Sequence, residues 1–325
     1  MDWPLMGRVR PLNTPSRVSI CEEGPREGFQ SERTVVPTER KLELIHALAR
    51  TGLKEINCVS FVDRERVPQM ADAERVAAEL RREPGVHYTG TWLNAKGFDR
   101  AEVSRLDLVG SVFAITSDSF ARKNNNRSAV DVLEGQRQLI QRYRAARLAT
   151  TVTYVFTAFG CMFEGDVPPQ LAVDTLARLL DICADEGECP GTVYFCDTVG
   201  FASPPSIRRL LDLARERWPD LSFALHLHDT RGMGMANILA GLELGVDRFD
   251  SSVGGLGGCP FAGNRAAAGN VCTEDMALMF EEMGIETGVD LPALIDAAKL
   301  AADIVGHPLP GKTMNAGIIP HTMPI

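Results

Sequence analysis

The hydrophobic positions of this chain fall into short β-branched or aromatic runs, each followed by a stretch in which apolar residues recur three or four apart. The first run, 18–21, leads through Gly24-Pro25-Arg26-Glu27-Gly28 into a helix with Thr38 as N-cap and Leu42, Ile45 and Leu48 on one face. Strand 55–59 follows, then Pro68 in a first helical turn, a helix over 71–80 and a strand at 88–93. A short helix spans 98–104. Next come strand 106–115, a polar loop at 117–128 and a helix at 130–146. The remaining units pair strand 149–156 with a helix from Pro168 to about Gly187, 192–196 with 204–217, 222–228 with 233–244, and 248–251 with a helix from Thr273.

Eight strand–helix units in roughly 265 residues predict an α/β fold, a (β/α)8 TIM barrel, and exceed the usual number for a doubly wound open sheet. The barrel is placed at 14–288. A helix at 291–304 and a Pro-rich tail make 289–325 a C-terminal helical extension packed on it.

Charge and composition narrow the partners. Thirty-four basic against 43 acidic side chains leave a formal charge of −9, which disfavours a nucleic-acid backbone. No apolar run approaches the ~20 residues that span a bilayer, and residues 1–13 lack the basic start and apolar stretch of a secretory signal. The expectation is a cytoplasmic protein with no membrane and no nucleic-acid partner. The eight cysteines form no C-x-x-C pair, so they read mainly as small buried side chains.

In such barrels the working residues sit at the carboxyl ends of strands. Strand 222–228 ends in His226-Leu227-His228-Asp229, and residues two apart on a strand share a face, so both imidazoles project together. That pair favours a divalent-metal site over two hydrogen-bonded core histidines. Oxygen donors from other strand ends, Glu27 and Asn270, suit Mg²⁺ or Mn²⁺. Taken singly, Arg26 and Glu27 read equally well as a surface pair and Asn270 as a helix cap. The run Gly254-Gly255-Leu256-Gly257-Gly258-Cys259 suggests a mobile lid that brings Cys259 over the mouth; a plain flexible connection is the alternative.

In this order, these motifs resemble the 3-hydroxy-3-methylglutaryl-CoA lyase family of TIM-barrel metallolyases. The resemblance spans most of the chain and rests on Glu23-Gly24-Pro25-Arg26-Glu27-Gly28-Phe29-Gln30, Ser60-Phe61-Val62 with Val67-Pro68-Gln69-Met70, Gly160-Cys161, Asp197-Thr198-Val199-Gly200, His226-Leu227-His228-Asp229-Thr230, the glycine run through Cys259-Pro260, Ala268-Gly269-Asn270 and Glu274-Asp275. It implies a metal-dependent retro-Claisen cleavage of a 3-hydroxy-3-methylglutaryl-CoA-like thioester to acetyl-CoA and an oxo acid. Glu27, His226, His228 and Asn270 would hold the cation, Arg26 would stabilise developing oxyanion charge, and Cys259 would protonate the enolate. Asp197 and Tyr154 match positions lining the family pocket and would steer a metal-bound water or the hydroxyl proton. Arg122, Lys123 and Arg127, in the loop after strand four, offer positive charge for the CoA phosphates, a plain solvated loop being the alternative, and Asn57 stands in the acyl pocket. A homodimer is implied by the resemblance alone.

Two departures stand out. The family has Arg-Asp-Gly where this chain has Arg26-Glu27-Gly28, and a second-strand glutamate where this chain has Asn57. The pair reads as compensatory and points to a related substrate, such as citramalyl-CoA or a bulkier 3-alkyl analogue. A Schiff-base aldolase using Lys96, a metal hydrolase, a Claisen-type synthase and a non-catalytic acyl-CoA-binding barrel remain as alternative classes.

Overall fold

The computed structural model describes residues 14–258 and 268–318. Its strands are β1 (Ser19–Glu22), β2 (Glu55–Ser60), β3 (His87–Thr91), β4 (Gly110–Ile115), β5 (Thr150–Phe156), β6 (Thr192–Asp197), β7 (Ser222–Leu227) and β8 (Arg248–Ser251), all parallel. They pair in the order β3-β2-β1-β8-β7-β6-β5-β4. Between the outermost two, β3 and β4, Asp107 N donates to Tyr88 O at 2.8 Å and Tyr88 N to Asp107 Oδ2 at 2.9 Å, so the sheet curls back on itself. This is the (β/α)8 TIM barrel that the strand–helix period predicts.

The helices cover the outside: α1 (Thr38–Ala49), α2 (Ala73–Glu79), α3 (Ala95–Glu102), α4 (Asp118–Asn125), α5 (Ala129–Ala145), α6 (Pro169–Asp185), α7 (Pro204–Arg217), α8 (Gly234–Glu243), α9 (Thr273–Glu282) and α10 (Leu291–Val305). Alternate strand residues such as Val193, Phe195, Phe223, Leu225 and Phe249 face this layer and form the main core. Burying each large side chain contributes about 1.5–3 kcal/mol. The other set faces the barrel axis, where Val152, Tyr154, Tyr194, Cys196 and Ala224 form a smaller cluster. Helix α10 packs on α1, α9 and the turn Val253–Gly255. Among the described residues no helix is long and apolar enough to cross a membrane, and six of seven cysteines are buried.

Three local expectations change. Residues 117–128 are not a loop: Ser117 caps α4 by accepting from Phe120 N at 3.1 Å, Phe120 and Ala121 bury one face, and Asn126 closes the helix in the left-handed region. The high Asn and Ser content of that stretch marks its two ends, not its middle. Thr38 lies inside α1 and is not its cap; its hydroxyl donates to Asp72 Oδ2 at 2.7 Å, beside the buried Lys41–Asp72 pair. A small hairpin, Gly160–Cys161 with Gly165–Asp166, follows β5 where no element was expected.

Candidate functional site

The chain leaves β1 through one wide π-type turn, in which the backbone N–H groups of Arg26, Glu27 and Gly28 all converge on Glu23 O at 3.1, 2.7 and 3.4 Å. Glu22, fully buried beneath it, holds the turn in place. Its Oε1 accepts from Gly24 N and Val253 N, each at 2.8 Å, and its Oε2 from Thr273 Oγ1 at 2.7 Å. Burial pushes this carboxyl up to about 8 against those hydrogen bonds. A Cβ at Gly24 would lie 2.6 Å from Glu22 Oε1, so only glycine admits the brace.

Strand register then sets one row across the barrel. Cys21 pairs with Asp250, Asp250 with His226, and His226 with Cys196, so β1, β8, β7 and β6 present these side chains side by side. His226 Nδ1 is 3.0 Å from Asp250 Oδ2, which orients the ring so that Nε2 faces Glu27 Oε1 at 3.7 Å. His228 Nε2 reaches the same oxygen at 3.3 Å. One ligand atom from each of Glu27, His226 and His228 lies within 4.8 Å of the other two. Burial works against charge on Glu27, yet Arg26 and then His226 hold its carboxyl well below the usual range. Burial likewise disfavours charged His226, but Glu27 and Asp250 outweigh it and lift the imidazole to about 10.

Asn270 enters from the loop after β8. It forms an antiparallel bridge with His228, and Asp229 N donates to Gly269 O at 2.6 Å. Its side chain is buried with Oδ1 lacking a hydrogen-bond partner, a costly arrangement unless a ligand completes it. The two imidazole nitrogens and the carboxylate oxygen form a donor group of a kind that holds a divalent cation.

The other sequence-derived candidates lie at varied distances from this cluster. Arg26 is inside it, pairing with Glu27 at 2.9 Å and with Glu23. Asp197 ends β6, 1% exposed, its Oδ1 accepting from Phe201 N at 2.6 Å; burial raises its carboxyl and nearby His228 opposes that. Asn57 sits beside Glu23 at a bulge in the β2–β3 pairing, which re-aims its side chain. Tyr154 is brought instead onto Tyr194 and Phe156, with ring centroids 4.8 and 6.0 Å away, and borders a cavity at the opposite barrel end. Arg122 and Lys123 are exposed on α4, Arg122 pairing with Asp118 at 2.6 Å. Cys259 lies outside the described residues.

The described part of the glycine segment is tied down. Gly254 N donates to Glu274 Oε2 at 2.9 Å, Gly311 N to Gly254 O at 3.1 Å and Gly269 N to Gly257 O at 3.2 Å. Gly254, Gly255 and Gly257 have φ of 65°, 66° and 100°. In this stretch glycine serves fixed left-handed corners. Sequence reasoning passed over Asp250, Glu22 and Glu23. The adjacent acids at the end of a four-residue inward-facing strand were the available signal for the last two.

Residues 17–301 match the family model described as HMGL-like. The chain is 37% identical over 302 residues to the mouse cytoplasmic 3-hydroxy-3-methylglutaryl-CoA lyase, covering 93% of this chain and 85% of that protein. It is also 37% identical to the hydroxymethylglutaryl-CoA lyase YngG of Bacillus subtilis, covering 92% and 97%. Among solved structures, the Bacillus subtilis HMG-CoA lyase superposes with a TM-score of 0.86 at 37% identity, covering 94% of this chain and 99% of that one. An HMG-CoA lyase from Acinetobacter baumannii in complex with coenzyme A and 3-methylmalate superposes with a TM-score of 0.84 at 32% identity, covering 95% and 98%.

Proposed function

Because this chain belongs to the HMGL-like family, we propose that it is a divalent-metal-dependent carbon–carbon lyase that cleaves a 3-hydroxy-3-methylglutaryl-CoA-like thioester into acetyl-CoA and an oxo acid. The observation that carries this reading is the convergence of Glu27, His226 and His228, with the backbone of Asn270, whose buried Oδ1 has no partner, bridged to His228. These four side chains would hold Mg²⁺ or Mn²⁺, which would supply Lewis-acid polarisation of the substrate's tertiary hydroxyl.

The protein groups divide the remaining work. Asp197, a buried carboxylate next to His228, takes the hydroxyl proton. The alcohol carbon becomes a ketone as its bond to the thioester's α-carbon breaks, and that electron pair passes into the thioester enolate. Arg26, held between two carboxylates with its Nε unpartnered, stabilises the growing negative charge. Cys259 returns a proton to carbon, giving acetyl-CoA. Tyr154 lines the wall below, and Arg122 and Lys123 on exposed α4 meet the CoA phosphates.

A second reading keeps the chemistry and changes the acyl group. Glu27 is one methylene longer than aspartate, and Asn57 is paired with the Glu23 carboxylate just beyond β1, so the acyl end meets different polarity. Citramalyl-CoA or a 3-alkyl analogue is the substrate on this reading. A cytoplasmic homodimer completes the proposal; the mouse relative is named as cytoplasmic, and sedimentation velocity tests the assembly.

The deciding assay follows acetyl-CoA release from a panel of 3-hydroxyacyl-CoAs, with EDTA and with added Mg²⁺ or Mn²⁺. Release that EDTA stops and metal restores is expected, and the preferred acyl group selects between the two readings. Turnover unaffected by EDTA overturns the metal role. No release from any member overturns the lyase reading.

A further inference from the structure

Glu23 is a buried carboxylate that no step above uses. It lies one position beyond β1, and the register that pairs Glu22 with Ile56 sets it opposite Asn57. Both its oxygens accept from Asn57 Nδ2, at 3.1 and 3.2 Å, and the same amide reaches Thr91 Oγ1 at 2.8 Å. Glu23 Oε2 also pairs with Arg26 NH2, on the edge of the guanidinium not taken by Glu27. Its side chain is 5% exposed.

Burying a carboxylate on a barrel axis carries a desolvation penalty, and ion pairs of this kind give little net stability. What this pair does provide is placement. With Glu27 as its sole partner, Arg26 would be free to lie across both oxygens of Glu27, one of which faces the two imidazoles. Glu23 pulls the guanidinium to the other side. It also fixes the Asn57 amide through its nitrogen, which turns Oδ1 away from the carboxylate. The two groups that Glu23 grips each retain one buried, unpartnered atom: the donor Arg26 Nε and the acceptor Asn57 Oδ1.

We propose that Glu23 is a positioning residue for the cleavage reaction, anchoring Arg26 and Asn57 so that an unpaired donor and an unpaired acceptor are presented to the hydroxyl-bearing end of the acyl-CoA. The inference rests on the lyase reading and on the charge-stabilising role given to Arg26. The carboxylate acts mainly through its ion pair with Arg26, so most of its contribution disappears when the guanidinium is absent.

The test is a double-mutant cycle on the full chain with Glu23→Gln, Arg26→Met and the combined variant, measuring kcat, KM and Mn²⁺ affinity by titration calorimetry. Glu23→Gln is expected to lower kcat about 10- to 100-fold while KM and Mn²⁺ affinity stay within about threefold. In the Arg26→Met background the same change is expected to alter kcat less than twofold. A Glu23→Gln kcat within twofold of wild type overturns the inference. So does an equal loss in both backgrounds, or a fall in Mn²⁺ affinity that matches the fall in kcat. Should Glu23→Gln fail to fold, Glu23→Asp takes its place, with a kcat loss of about three- to tenfold that shrinks below twofold with Arg26→Met; a kcat within twofold of wild type, or an undiminished loss, overturns the inference. A wild-type chain that releases no acetyl-CoA sinks the lyase reading itself, whereas an active wild type with an indifferent Glu23 sinks this inference alone.

Discussion

The two ends of the barrel carry the same kinds of side chain in different states. At the amino-terminal end, Glu55, His87, Asp107, Tyr154, Tyr194 and Arg248 line a cavity of about 280 Å³. Among the described residues lining it, no side-chain atom is both buried and without a partner; His87 is exposed and Glu55, Asp107 and Arg248 are half-buried. At the carboxyl end, Glu22, Glu23, Asp197, His226, Asp250 and Asn270 are all buried, and Arg26 Nε, Asn57 Oδ1 and Asn270 Oδ1 lack partners. One set of polar groups is partly open to solvent. The other is buried and leaves three polar atoms without a partner, which marks a binding end more sharply than residue type does.

Removing a cluster histidine should separate the ends most. His226→Ala is expected to abolish Mn²⁺ binding in calorimetry and to lower acetyl-CoA release by roughly a thousandfold or more; substantial residual metal-dependent turnover would break the contrast. Next in size is Asp250→Asn, which leaves His226 in place and weakens its orienting partner. A loss of about 10- to 100-fold in Mn²⁺ affinity or turnover is expected, the usual effect of altering a group behind a metal ligand.

A smaller effect concerns stability. Burial pushes Glu274 from 4.5 to about 7 in the folded chain, with hydrogen bonds from Cys272 and Gly254 opposing it. The native state therefore keeps a proton that the unfolded chain releases at lower pH. The stabilisation is complete below the unfolded value and is lost as pH rises through about 7. Between pH 4.5 and 8 wild type should lose about 3 kcal/mol relative to Glu274→Gln, read from urea unfolding at each pH; parallel profiles would show that this carboxyl is not protonated in the fold. The smallest expected effect is at the solvated end, where Glu55→Gln should change turnover less than twofold. A loss comparable to that of Asp250→Asn would erase the distinction between the ends.

Much of the barrel was legible because strand and helix periods are local and the β-branched runs are short. Helix α4 was not, since its polar residues were read as a loop when Ser117 and Asn126 in fact bound a helix with only Phe120 and Ala121 buried. In the site, His226 and His228 announce themselves by their spacing along one strand. Asp250 does not: a lone acid in Arg248-Phe249-Asp250-Ser251 acquires meaning only when β8 is laid beside β7. Glu23 is hidden in the same way, because its partners Arg26 and Asn57 come together through a bulge and a wide turn that no window of the chain displays.

Gly28 is wedged between the Leu256 side chain and the Gly257 backbone. A Cβ there would stand 2.6 Å from Leu256 Cγ, and Gly257 lies directly over the Gly28 backbone. Where Gly257 rests on Gly28, backbone meets backbone with no rotamer to absorb a push, so a shift of residue 257 bears on the turn that carries Glu27. The molecule has thereby joined the stretch entering its glycine segment to its most charged corner by a rigid stop, and an alanine at Gly28 would jam the two apart.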